Sequence, residues 1–382
     1  MEIGGAERAL LGLLNTIDTD KVDVDLFINQ HTGEFMSLIP KSINLLPENK
    51  RYSTLERPIK QILKEGHIDI ALARIFARLH HHIYRFFYKS KTHEDASIFQ
   101  YVAKYTTPLL PSLKNLGKYD LAISFLTPHN IVRKKVIANK KLAWIHTDYS
   151  VVSTNTKIEL PIWNSYDNIV SISPDVTSTF LQTFPTLKNK IIEIENILSP
   201  KFVKEQAQLF YPKEYNGDFI KICSVGRFCN AKNYENIPFV AEILKKKGLK
   251  FKWYIVGYGD TTLTISNIAK TETNDCVKLL GKKDNPYPYI ANCDIYAQPS
   301  RYEGKSVTVR EAQMLGKPIV ITNYPTASSQ IKNEIDGIIC NMDNQSIAES
   351  IYNLATNKNK QLSLSEYLNS HNYGNENEII KL

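Results

Sequence analysis

The residues best placed to do chemistry lie in one run, Asp294 to Glu311, which reads DIYAQPSRYEGKSVTVRE. A β-rich stretch ends there in a Gly turn, and a helix follows whose first amides lack intrahelical partners and whose dipole presents its positive end. Such an end holds anions, so Gly304, Lys305, Ser306 and Val307 are candidates to cradle a diphosphate. Glu303 would sit on the loop beside a sugar, and Glu311, further along the helix, could accept hydrogen bonds from a ribose diol. A second run, Ser224 to Asn233, ends a strand at Gly226 and sets Arg227 and Lys232 five positions apart. Arg supplies fixed donors and Lys a mobile point charge, the pair needed where negative charge grows on a departing phosphate.

Two weaker signals lie in the first half. Gly4 and Gly5 by themselves read as a simple turn before the first helix. His146 follows the apolar stretch Leu142 to Ile145, at the end of a strand, where position alone favours a structural or exposed histidine. The acidic pairs Asp18/Asp20 and Asp23/Asp25 read as solvated acids. His80, His81 and His82 are consecutive on a helix and point different ways, so no metal is expected.

Parallel strands covered on both faces must position these residues, because such strands read as nearly continuous apolar runs. The second half supplies them at Lys221 to Val225, Lys252 to Val256, Val277 to Leu280, Asp294 to Ala297, Pro318 to Thr322 and Gly337 to Cys340, with helices at Ile237 to Lys247 and Val309 to Leu315. The first half repeats the alternation at Val24 to Ile28, Leu121 to Phe125, Leu142 to His146, Ile169 to Ile172 and Ile191 to Glu195, after a helix from Ala6 to Asn15. The fold class is therefore α/β, with two Rossmann-like doubly wound domains facing across a cleft. The expected domains are residues 1–198, 199–365 and a segment 366–382 that returns towards the first. Residues 57–116 form a helical insertion. Within it Leu72, Ile75, Phe76, Leu79, Ile83, Phe86 and Phe87 share one helical face, while Arg74, Arg78, His81, Arg85 and Lys89 share the other. The plain reading buries the apolar face against the domain, and the alternative docks residues 72–89 on an anionic membrane.

At 382 residues, 43% hydrophobic and 23% charged, the chain has a globular composition with room for two domains. No apolar run is long enough to cross a bilayer and no leader opens the chain, so a cytoplasmic protein, peripheral on the membrane at most, is expected. The five cysteines show no paired short spacing, which suits buried thiols in a reduced compartment. The net charge of +8 favours anionic partners.

Two glutamates separated by seven residues, set in SRYEG and followed by EA and LGKPIV, resemble the signature of retaining glycosyltransferase family 4, of GT-B fold. The resemblance implies that Arg227 and Lys232 bind the donor diphosphate, that His146 lies near the sugar, and that Lys282, Asn285 and Tyr287 fall in the nucleobase region. It also identifies Gly4 and Gly5 with the family's N-terminal glycine loop. Relatives carry a strand before that loop, and here the chain begins at Met1, so the first domain is expected to lack its first strand.

By this resemblance the chain moves a sugar from a nucleoside diphosphate, expected to be a UDP-sugar, to a saccharide hydroxyl. An α-glycosidic bond in capsular polysaccharide or lipopolysaccharide synthesis is the expected product. The acceptor would be a saccharide or lipid-linked saccharide, bound by the first domain. The nucleotide sugar is a substrate, so no cofactor is expected. A sugar-nucleotide epimerase of the same architecture is the alternative. A basic nucleic-acid-binding protein is a further one, although no standard binding motif is visible and no nucleic acid is expected as a partner.

Overall fold

The computed structural model describes residues 1, 5–87, 94–147, 149, 152–303 and 306–382. They divide into two compact units, Met1–Ile197 with Glu376–Leu382, and Leu198–Asn375. The division falls at 197/198 and 375/376, against the expected 198/199 and 365/366. The last helix of the second unit, Lys358–Ser370, runs through the latter position. Residues Glu376–Leu382 are tied into the first unit, where Glu195 N donates to Glu378 Oε2 (3.1 Å) and Lys140 Nζ to the Leu382 carbonyl (3.1 Å).

The first unit opens with α1 (Gly5–Thr16) and centres on four parallel strands, β1 (Lys118–Ser124), β2 (Ile137–Ile145), β3 (Asn168–Ser171) and β4 (Ile191–Glu193), in the order β1-β2-β3-β4. Strand β2 shows why: Leu142 and Trp144 pack into one apolar layer with Leu13 and Val170, while Ala143 and Ile145 pack into another with Trp163 and Phe180. Successive side chains leave a strand on opposite faces, so a run apolar at every position needs cover on both. The insertion carries two long helices, α2 (Ile68–Phe87) and α3 (Ser97–Thr106).

The second unit holds six parallel strands, β5 (Ile220–Val225), β6 (Phe251–Val256), β7 (Val277–Gly281), β8 (Ile295–Gln298), β9 (Ile319–Thr322) and β10 (Ile338–Cys340). Their order is β7-β6-β5-β8-β9-β10. The chain thus builds outward from β5 in one direction, then returns to its other side to lay down β8. Sheets of this order bind ligands where the direction reverses, outside the carboxyl ends of the two central strands. Those ends are Val225 with Gly226, and Gln298 with the loop to Glu303.

Backbone is packed tightly at this point. A Cβ on Gly257, just after β6, would lie 1.8 Å from the Gly226 carbonyl oxygen, and one on Gly226 would lie 2.7 Å from the Tyr234 hydroxyl. Neither position can hold a larger residue without displacing the loop that carries Arg227 and Lys232. We expect Gly257→Ala to lower unfolding stability by about 2 kcal/mol, as overpacked interiors do, read as a lower urea midpoint. A midpoint equal to that of the parent protein would contradict this packing.

Candidate active site

The two loops that leave β5 and β8 are joined by specific contacts. Arg301 N donates to the Ala231 carbonyl (2.8 Å), and Arg301 Nη1 reaches both the Asn230 carbonyl and Glu235 Oε1 (2.6 Å each). This clamp brings Lys232 to Glu303, with Nζ 2.6 Å from Oε1 and the side chains only 17% and 11% exposed. Ser300 Oγ (2.6 Å) and Gln298 Nε2 (3.2 Å) donate to the same oxygen. Three donors on Oε1 fix the carboxylate, while Oε2 accepts from none of the described residues. Gln298 is itself oriented by the Tyr296 hydroxyl, which donates to Gln298 Oε1 at 2.8 Å.

The loop is also pinned from its far side. Thr322 Oγ1 donates to the Ser300 carbonyl, and Thr326 Oγ1 to the Glu303 carbonyl (2.8 Å). Gln330 brackets Ser306, its Oε1 accepting from Ser306 N (3.1 Å) and its Nε2 donating to the Ser306 carbonyl (2.6 Å). The helix α4 (Val307–Met314) then starts at Ser306 without a side-chain cap, which leaves the amides of its first turn, Val307 among them, for a ligand or water. Gly304, Lys305 and Gly4 lie outside the described residues, and Gly5 is the first residue of α1.

Glu311, on α4, is fully buried, and the Tyr287 hydroxyl donates to its Oε1 at 2.9 Å. Two predicted positions, one assigned to ribose and one to the base, therefore meet. Asn285 braces the surrounding backbone, its Nδ2 donating to the Gln206 carbonyl (2.7 Å) and its Oδ1 accepting from Tyr287 N (3.1 Å). Lys282 is exposed, 5.9 Å from the Tyr258 ring centre, and Arg227 is exposed beside the central strand end. The structure thus brings Lys232 and Glu303 together at one strand end and joins Tyr287 to Glu311, while Ser306 is held by Gln330 and Lys282 joins neither pair.

The first unit places His146 immediately after β2. Its ring lies 4.5 Å from that of Phe125 and stacks on Trp144, and its Nε2 is buried with no hydrogen-bond partner among the described residues. Burial lowers its pKa from 6.5 to about 4. His129, at the end of the same sheet, is lowered to about 3 by burial and then by the nearby His146.

The sequence model of the family described as "Glycosyl transferases group 1" matches residues 206–371, the greater part of the second unit. The second unit is a group 1 glycosyltransferase domain. Over 98% of its length the chain is 24% identical to an uncharacterised glycosyltransferase of Haemophilus influenzae, of which 94% is covered. Over 49% of its length it is 25% identical to the N,N'-diacetylbacillosaminyl-diphospho-undecaprenol alpha-1,3-N-acetylgalactosaminyltransferase of Campylobacter jejuni, of which 51% is covered. Among solved structures it resembles Anabaena HepE in complex with UDP and glucose, with TM-score 0.58 and 15% identity over 97% of this chain and 91% of that one. The chain is thus a glycosyltransferase with the GT-B fold.

Sequence reading of this glycosyltransferase missed Ser300, Gln298, Arg301 and Glu235. Gln298 did leave a signal, since an amide in an otherwise apolar buried strand needs a polar partner.

The depressed histidines have a consequence for stability. An unfolded chain takes up protons at His129 and His146 below pH 6.5, whereas the folded protein holds both neutral until about 3 and 4. The stability they contribute is complete above 6.5 and is lost as pH falls from 6.5 through about 4 for His146 and about 3 for His129. We expect the urea midpoint of the first unit to fall across that window and His146→Gln to make the fall shallower. An identical slope in the variant would show that His146 is not held neutral.

Proposed function

We propose that this glycosyltransferase transfers a sugar from a UDP-sugar to a hydroxyl of a saccharide or lipid-linked saccharide, with retention, forming an α-linkage in cell-envelope polysaccharide. The observation that carries the reading is the Lys232–Glu303 pair at the point where the strand order reverses. Lys232 and Arg227 neutralise the leaving diphosphate, together with the uncapped start of α4 at Ser306 and Val307. Gly304 and Lys305, outside the described residues, are proposed for the same diphosphate on the resemblance of their sequence. Glu303 receives hydroxyls of the transferred sugar, and Glu311 the ribose diol, in exchange with or beside Tyr287. His146 is proposed near the sugar on the family resemblance alone, and at neutral pH its ring is uncharged.

A UDP-sugar donor is supported by the UDP and glucose in the HepE structure, and a lipid-linked acceptor by the undecaprenyl diphosphate named for the Campylobacter relative. The alpha-1,3 linkage in that relative's name supports an α product. Breaking the anomeric C–O bond leaves negative charge on the diphosphate and positive charge at the sugar. The acceptor hydroxyl attacks from the face the diphosphate leaves, and its proton passes to a phosphate oxygen. No carboxylate nucleophile is needed on the opposite face, in contrast with retaining hydrolases.

A panel of UDP- and GDP-sugars tests the donor. A ligand that binds only the folded protein at about a hundred times its Kd adds about 2.7 kcal/mol of stability, so a UDP-sugar should raise the melting temperature and GDP-sugars should not. Glu303→Ala should lower kcat about a hundredfold, the scale of a lost electrostatic contact in a transition state. Donor consumption with no acceptor present and an epimerised sugar as product would overturn transfer. A covalent sugar trapped on the protein would overturn same-face attack.

A further inference from the structure

Helix α2 is built with its faces exchanged relative to an ordinary surface helix. The small residues Ala71 and Ala77 are fully buried, and the polar side chains lie inward beside them. Arg74 Nη1 donates to the carbonyls of Thr54 (2.7 Å) and Arg57 (2.6 Å). His80 Nδ1 meets the Tyr105 hydroxyl at 2.6 Å, and His81 Nε2 lies 3.1 Å from Asp95. The residues expected to be buried point outward: Leu72, Phe76, Leu79 and Ile83 are 55–59% exposed, Phe86 80% and Phe87 72%. The expectation that this face packs against the domain is therefore corrected. Arg74 and His81 satisfy backbone and carboxylate acceptors that an apolar side chain would leave unpaired, which favours the inverted packing. Lys89, assigned to the same basic face, lies outside the described residues.

The apolar stripe runs the length of the 20-residue helix, about 30 Å at 1.5 Å per residue. Arg78 and Arg85 are exposed, Arg85 also reaching Asp95 at 3.4 Å. The one acidic residue of the helix, Asp69, is engaged by Arg51. No helix among the described residues is long and apolar enough to cross a membrane.

We propose that α2 docks in the surface of an anionic lipid bilayer. Its apolar stripe enters the boundary of the acyl chains, and Arg78 and Arg85 meet headgroup phosphates. Hydrophobic burial supplies the affinity, and the arginines select negatively charged lipid. Docking holds the enzyme at the surface where a lipid-linked acceptor resides. The docking itself requires no turnover and stands whether or not the transferase reading holds.

The test is co-sedimentation of the full chain with vesicles of phosphatidylcholine alone, or of phosphatidylcholine and phosphatidylglycerol in equal parts. The protein should pellet with the anionic vesicles and less with the neutral ones, and added salt should weaken it. Leu72→Gln, Leu79→Gln and Phe86→Gln together change only exposed side chains, so the fold should survive, with an unchanged melting temperature as the check. That variant should bind at least about tenfold more weakly, and Arg78→Gln with Arg85→Gln should abolish the preference for anionic lipid. Equal pelleting of parent and triple variant would overturn the proposal. So would failure of the parent to pellet, or a dimer in solution that the triple variant converts to monomer.

Discussion

The second unit turns on one ion pair. Lys232 and Glu303 are shielded from water and 2.6 Å apart, an arrangement whose desolvation cost is recovered only if the geometry is good and the remaining polar atoms are satisfied. Ser300 and Gln298 meet that condition at one carboxylate oxygen. The pair also explains why the surrounding backbone is so constrained. Arg301 ties the loop after β8 to the loop after β5, and Gly226 and Gly257 let the ends of β5 and β6 approach where any side chain would intrude.

A ligand anion arriving here changes the balance of charge. Lys232 can answer a phosphate or Glu303, and a diphosphate carries more negative charge than a carboxylate. The loops that carry the pair leave β5 and β8, which are central strands with neighbours on both sides. The first unit contributes a different device. His146 is held neutral by burial at the end of β2, with a nitrogen that no described group satisfies.

Much of the second unit was legible in its sequence because each strand is apolar on both faces, and such runs leave little choice of structure. The end of β8 and the start of α4 were legible for a similar reason: both are written within the short run from Asp294 to Glu311. What could not be read depends on contacts between distant segments. Nothing in the neighbourhood of Arg301 announces that it meets Asn230 and Glu235, and the tie between Tyr287 and Glu311 spans 24 positions. Helix α2 shows a different limit. Periodicity defines two faces but does not say which one turns inward, and the carbonyls of Thr54 and Arg57 decided that in favour of Arg74.

The claim that the reversal point binds a diphosphate is tested most directly by comparing the affinities of UDP and uridine by calorimetry. The two ligands share base and ribose and differ only in the phosphates. The parent protein should bind UDP at least about a hundredfold more tightly, the scale of two charge-assisted contacts, and Arg227→Ala with Lys232→Ala should bring UDP close to uridine. An unchanged ratio in that variant would place the phosphates elsewhere and contradict the assignment.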